Sequence, residues 1–143
     1  MSIGGHQSAS ALKDEWLTPP HVIQALGFFD LDPCSPIERP WPTAEKHYTI
    51  LDNGLIQPWN GRAWCNPPYG LEAAKWLERC VQHGNAIALV FARTETRMFF
   101  DHIWPKADGM LFLEGRLYFH HVCGTRAAAN SVAPFEFNNN QYC

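Results

Sequence analysis

The chain has 143 residues, of which 46% are hydrophobic and 13% aromatic, enough for one domain with a packed core and contrary to a disordered chain. A formal net charge of -3 excludes a protein that grips a duplex over many phosphates, so any contact with nucleic acid has to come from a local basic patch. The opening Met1-Ser2-Ile3-Gly4-Gly5 has no basic or apolar leader pattern, and no later run approaches the roughly 20 apolar residues of a membrane span, which predicts a cytoplasmic protein with no membrane partner.

Residues 1–13 are small and polar and predict a flexible N-terminal arm, followed by a single domain over 14–137 and an irregular tail over 138–143. Thr18-Pro19-Pro20 precedes Val22, Ile23, Ala25 and Leu26, a pattern that predicts a helix with Thr18 as N-cap and Pro19 as first helical residue, stopped at Gly27. Phe28 to Asp32 alternates apolar and acidic residues and is closed by Pro33-Cys34-Ser35-Pro36, a strand with Asp32 at its carboxyl end. Ligands of open α/β sheets bind at such ends, although a proline turn closing an exposed strand gives the same pattern. Lys46 to Leu51 reads as a short strand and Asp52-Asn53-Gly54 as the turn after it.

Arg62-Ala63-Trp64-Cys65 predicts a further strand, and Asn66-Pro67-Pro68-Tyr69 follows it. The two prolines remove backbone donors, and the first pushes Asn66 into an extended conformation, so the sheet ladder stops there and carbonyls are left to face a ligand. Asn66 adds a side-chain acceptor and Tyr69 an aromatic face, a combination suited to a planar amine; an ordinary turn would also use these dipeptides. Leu71, Ala74, Leu77, Cys80 and Val81 are spaced for one face of a helix ended by Gly84. Ala86 to Ala92 is apolar throughout, as in a central parallel strand. Beyond Arg93-Thr94-Glu95-Thr96, the residues Met98, Phe99, Phe100, Ile103 and Trp104 predict a second helix halted by Pro105. Gly109 to Leu113 and Arg116 to His120 flank Glu114-Gly115 as a hairpin. Val132 to Phe137 can begin a strand, whereas Asn138 to Gln141 is poor in β propensity. Five cysteines without a Cys-x-x-Cys spacing read as reduced thiols, and no Cys/His set has metal-ligand spacing, so no metal is expected.

Thr18-Pro19-Pro20, Asp32-Pro33-Cys34-Ser35, Asp52 and Asn66-Pro67-Pro68-Tyr69 occur in the order of motifs X, I, III and IV of S-adenosylmethionine-dependent amino-methyltransferases. With Asp14-Glu15-Trp16, Gly61 to Gly70, Arg93-Thr94 and Leu111 to Phe119, the chain resembles the compact phage-type DNA N6-adenine methyltransferases from about Asp14 to Pro134. The resemblance implies a Rossmann-like methyltransferase fold, S-adenosylmethionine as cofactor, and DNA with a flipped or single-stranded adenine as partner. It assigns Asn66, Pro67, Pro68 and Tyr69 to catalysis and Trp16, Thr18, Pro19, Asp32, Pro33, Cys34 and Asp52 to the cofactor. Arg93, Arg97, Arg116 and Arg126 are the candidate phosphate contacts. Where the family continues into a last hydrophobic strand, this chain has its asparagine run, which predicts a sheet lacking that strand. Cytosine N4, an RNA base or a protein glutamine are alternative amines for the same motif, and a non-catalytic remnant binding cofactor or single-stranded DNA is the alternative of another class. The length of the chain predicts no separate target-recognition domain, so any sequence selectivity is expected from loops.

Overall fold

A computed structural model describes residues 17–114, 117–120 and 140–142 of the chain. The expected arm 1–13, Trp16, Arg116, Arg126 and the stretch from Val132 to Phe137 lie outside those residues. The apolar run predicted as a central strand is one: Ala86–Phe91 (β4) lies beside Ala63–Cys65 (β3), which lies beside Leu31–Asp32 (β1) and then Lys46–His47 (β2), all four parallel. On the far side of β4, Asn140–Tyr142 (β6) pairs antiparallel with β4 and with Leu111–Phe112 (β5). The sheet order is β2-β1-β3-β4-β6-β5, a mixed α/β architecture with a parallel centre.

Strand periodicity divides the core into two. Ala63, Cys65, Ala86, Ala88 and Val90 face one cluster, packed under Trp76 and Leu77 of the helix Ala73–His83 (α2) and under Phe99 and Ile103. Trp64, Ile87, Leu89 and Phe91 face the other, beneath Val22 of the helix Pro20–Leu26 (α1) and beside Phe119. Cover on both faces is what a parallel sheet requires, and it explains why β4 reads as unbroken hydrophobicity. Trp64 is 0% exposed at the centre, a side chain whose truncation to alanine costs about 3–5 kcal/mol.

Several local expectations are corrected. Helix α1 starts at Pro20 with Pro19 as its N-cap and no side-chain cap, so Thr18 stands outside the helix and its hydroxyl is available elsewhere. Helix α2 starts two residues past Leu71, and its buried face is Ala73, Trp76 and Leu77. Leu71 is therefore 95% exposed and Val81 40%, because the indole of Trp76 sets the face that meets the sheet. Gly84 ends α2 in the left-handed conformation, φ 78°, and donates its N–H to the Cys80 carbonyl. The second predicted helix is a single π turn, Phe99–Ile103, closed by the Trp104 N–H on the Phe99 carbonyl at 2.9 Å. Strand β2 ends at His47, short of Leu51, since Thr49 already begins a capped turn.

The predicted hairpin is not seen as such. Leu111–Phe112 pairs with β6, and His120 instead forms an isolated bridge with Leu17. The tail is likewise corrected: Asn140–Tyr142, expected to be irregular in a sheet lacking its last strand, is a strand, and it lies between β4 and β5. Ladder bonds are made by the main chain, and a central strand's N–H and C=O groups demand partners whatever the propensity of the segment that supplies them. Among the described residues no helix is long and apolar enough to cross a membrane.

Candidate active site

From β1 the chain moves outward to β2, then returns to the opposite side of β1 as β3. Strand order thus reverses between β1 and β3, and the crevice at their carboxyl ends is where an open sheet of this kind takes ligands. Asp32 is the last residue of β1, and Asn66 is the first after β3. The two loops touch across the crevice, with the Cys34 thiol donating to the Asn66 main-chain carbonyl at 3.0 Å. The Asn66 side chain donates through Nδ2 to the Thr18 hydroxyl at 3.4 Å, and the Trp41 indole N–H donates to the Thr18 carbonyl at 3.0 Å. Three separate motifs therefore meet: Thr18, Cys34 and Asn66. Pro19 and Pro33 are fully buried around them, Pro67 is buried, and Pro68 is exposed.

Asp32 is 4% exposed. Its Oδ1 accepts the Cys34 N–H at 3.1 Å and its Oδ2 accepts the Thr43 hydroxyl in a short bond. Burial pushes the carboxyl up to about 6, against those two hydrogen bonds and the more weakly felt Arg39 charge. The buried polar side chains among the described residues, Thr18, Asp32, Ser35 and Thr43, all belong to this corner of the molecule. Buried polar groups cost free energy unless bonded, and here Asp32 and Thr43 bond each other while Thr18 accepts from Asn66.

Asp52 lies differently from its neighbours. It is exposed, and its Oδ2 accepts the Thr49 N–H at 2.8 Å and the Thr49 hydroxyl at 3.0 Å, bonds that hold its carboxyl below the usual range. No hydrogen bond among the described residues joins it to Asp32 or Asn66. Its turn does reach the crevice, because Gly54 packs so close to the loop after β1 that a Cβ there would run into the Pro33 carbonyl oxygen.

The Tyr69 ring stacks on Phe91 with centroids 3.7 Å apart and meets Phe119 at 6.5 Å and 70°. Its hydroxyl is buried, and burial pushes the phenol well above its ordinary value. Phe91 ends β4, so Tyr69 reaches over the carboxyl end of the next strand. Arg93 and Arg97 follow, exposed and paired with Glu95 at 3.0 Å and Asp101 at 3.4 Å. Such exposed pairs are worth about 0–1 kcal/mol, so a phosphate can displace the carboxylate. Arg39, Arg62 and Arg79, in contrast, are committed to main-chain carbonyls. Sequence reasoning missed Trp41, Thr43, His47 and Phe91; of these only Phe91 had a signal, as the aromatic residue ending the central strand.

A parallel α/β sheet that brings a buried carboxylate and an Asn-Pro-Pro-Tyr loop to one crevice is compatible with a methyltransferase fold. The chain belongs to the DNA N-6-adenine-methyltransferase (Dam) family, whose model matches residues 5–140. That is a family of enzymes that methylate adenine N6 in DNA, in agreement with the resemblance carried by the four motifs. No curated protein and no solved structure matches the chain.

Proposed function

We propose that this protein transfers the methyl group of S-adenosylmethionine to the exocyclic amine of an adenine that has left the DNA stack. The observation that supports this reading is the junction at the β1–β3 crevice, where Cys34 from the loop after Asp32 and Thr18 from the segment before α1 both hydrogen-bond Asn66. Thr18, Pro19, Asp32, Pro33 and Cys34 form the cofactor half, with Trp16 beyond the described residues and Asp52 at the rim. The chemistry of Asp32 fits the group: a buried carboxylate with no ion pair among the described residues suits the α-ammonium of an amino-acid ligand. When bound, S-adenosylmethionine supplies an activated methyl on a sulfonium.

The chain's own task is to present the amine. Its nitrogen is a poor nucleophile because the lone pair is delocalised into the ring. Asn66 Oδ1 and the Pro67 carbonyl accept hydrogen bonds from the two amino hydrogens, which turns the lone pair out of the ring plane and toward the methyl, and once the new C–N bond has formed the nitrogen's surplus proton passes to water. Thr18, by accepting from Nδ2, fixes which way the Asn66 amide faces. Fixed dipoles and positioning then carry the rate, with no strong base. Tyr69, whose ring already stacks on Phe91, offers the base an aromatic surface. That recovers part of the few kcal/mol spent on unstacking. Arg93 and Arg97, with Arg116 and Arg126 outside the described residues, hold phosphates beside it.

The test is S-adenosylmethionine binding by calorimetry, then mass analysis of nucleosides from unmodified DNA treated with the protein. N6-methyladenine formed by the wild type and lost in Asn66→Ala is the expected result. Binding without any methylated nucleoside overturns it.

A further inference from the structure

The loop between β1 and β2 carries a second arrangement that none of the motifs includes. Asp32 and His47 are register partners in the parallel pair β1–β2. The His47 ring turns back on the loop that precedes it: Nε2 accepts the main-chain N–H of Thr43 at 3.2 Å and of Ala44 at 3.3 Å. An imidazole nitrogen that accepts two N–H groups carries no proton, so the ring is neutral with its hydrogen on Nδ1. Burial, then the Arg39 charge, push His47 down to about 4, in keeping with that role. Thr43, held by this turn and 7% exposed, gives its hydroxyl hydrogen to Asp32 Oδ2. On the other side, the Tyr48 N–H donates to the Asp32 carbonyl at 2.8 Å, which locks the end of β1 against the end of β2.

We propose that Thr43 and His47 are positioning residues for the cofactor: His47 shapes the Thr43-Ala44 turn, and Thr43 orients the Asp32 carboxylate and keeps it ionised to receive the ligand's ammonium. This rests on the reading of Asp32 as a cofactor contact. A carboxylate offers about four lone-pair sites. Cys34 N–H takes one on Oδ1 and Thr43 one on Oδ2, so the plane of the group is fixed and one site on each oxygen remains directed elsewhere. Without the hydroxyl, burial acts unopposed at Oδ2 and protonation is favoured, and a protonated acid has no charge to offer an ammonium. Among the described residues, the titratable and charged groups around Asp32 are few. Arg39 comes from its own loop and His47 from β2, while the thiols of Cys34 and, from β3, Cys65 are raised above their ordinary value and stay neutral across the range that matters.

The experiment is S-adenosylmethionine affinity of the full chain by calorimetry from pH 5.5 to 8.5, for the wild type, Thr43→Val, Thr43→Ser, His47→Leu, His47→Gln and Asp32→Ala. Wild-type affinity rises through about pH 6, following ionisation of Asp32, and falls again toward pH 8.5 as the ligand's own ammonium loses its proton. Thr43→Val, which keeps the shape of the side chain, weakens binding about tenfold or more at pH 6.5, moves the rising midpoint upward, and meets the wild-type curve by pH 8.5. Thr43→Ser restores the wild-type curve. His47→Leu follows Thr43→Val, and His47→Gln, which offers an amide oxygen near the place of Nε2, follows the wild type. A Thr43→Val curve like the wild type's, a loss equal at every pH, or a Thr43→Ser curve like Thr43→Val overturns the proposal. Unaltered affinity in Asp32→Ala overturns instead the cofactor reading of Asp32 on which the proposal stands.

Discussion

On the Asp32 side of the crevice the contacts are hydrogen bonds made by buried groups; on the Tyr69 side aromatic rings stack and the charged residues stand in water. Thr18 and Asp32 are 2% and 4% exposed, whereas the Arg97 side chain is 93% exposed. A small, invariant ligand rewards a rigid polar mould, since orientation fixed in advance is not paid for again on binding. A base arriving with its strand needs a surface that adapts, and stacking with long cationic side chains tolerates different neighbours. Under the proposed function, the comparison assigns orientation to the first half and capture to the second.

The largest effect that would break or sharpen this contrast belongs to Asn66, which stands at the boundary. Asn66→Ala should lower the single-turnover methylation rate about a hundredfold to a thousandfold while leaving cofactor affinity near the wild-type value. An equal loss of rate and cofactor affinity would place Asn66 wholly in the Asp32 half.

Next comes Asp32 itself. Asp32→Ala should weaken S-adenosylmethionine at least about 30-fold, the usual cost of removing one member of a buried charge pair. Asp32→Asn adds a signature in stability. The folded carboxyl titrates near 6 and the unfolded one near 3.8, so between those values the folded protein binds more protons and loses stability as pH rises. A shift of this size corresponds to about 3 kcal/mol, so ligand-free Asp32→Asn should melt higher than the wild type at pH 7.5 and lose that advantage near pH 4. His47 runs the other way: its folded value near 4 lies below the unfolded 6.5, so its contribution is present above 6.5 and lost as pH falls toward 4. The difference between the wild type and Asp32→Asn, measured by denaturant titration at each pH, isolates the first from the second.

Tyr69→Ala should cost about 1–3 kcal/mol in DNA capture through the lost stack, with cofactor affinity untouched, and Tyr69→Phe should retain most activity. Smallest are the arginines. Arg93→Ala and Arg97→Ala should each weaken DNA binding a few-fold and make its salt dependence shallower by about 0.9 in log–log slope on duplex DNA. An unchanged slope would return the arginine concerned to ordinary solvated surface.

The parts of the molecule legible in the sequence are those where a local chemical constraint reports a local role. Asp32 before Pro33 and Asn66 before Pro67 announce strand ends because proline cannot continue a ladder, and the structure places both at carboxyl ends of neighbouring strands. Thr43 and His47 escaped because their partners lie 11 and 3–4 residues away through an irregular loop, where no periodicity marks which side chain turns inward. Leu71 was misplaced for another reason: the apolar spacing from Leu71 to Val81 competes with one set by Trp76, and bulk decides which face is buried. The strand Asn140–Tyr142 was illegible because its membership of the sheet depends on β4 and β5, not on its own residues.

The cysteine that links the two halves also makes the crevice chemically observable. Cys34, Cys65 and Cys80 are free thiols. For Cys34 a hydrogen bond with Cys65 acts against burial and the Asp32 charge, and the balance leaves it above its ordinary value; Cys65 is raised further by its bonds to Cys34 and Cys80 together with burial. Thiolates, not thiols, react with alkylating reagents, so Cys34 and Cys65 are held back while the loops after β1 and β3 are joined and should react faster when they part. The alkylation rate of Cys34 is thus a clock for opening of the crevice, readable without substrate and slowed by whatever ligand holds the two loops together.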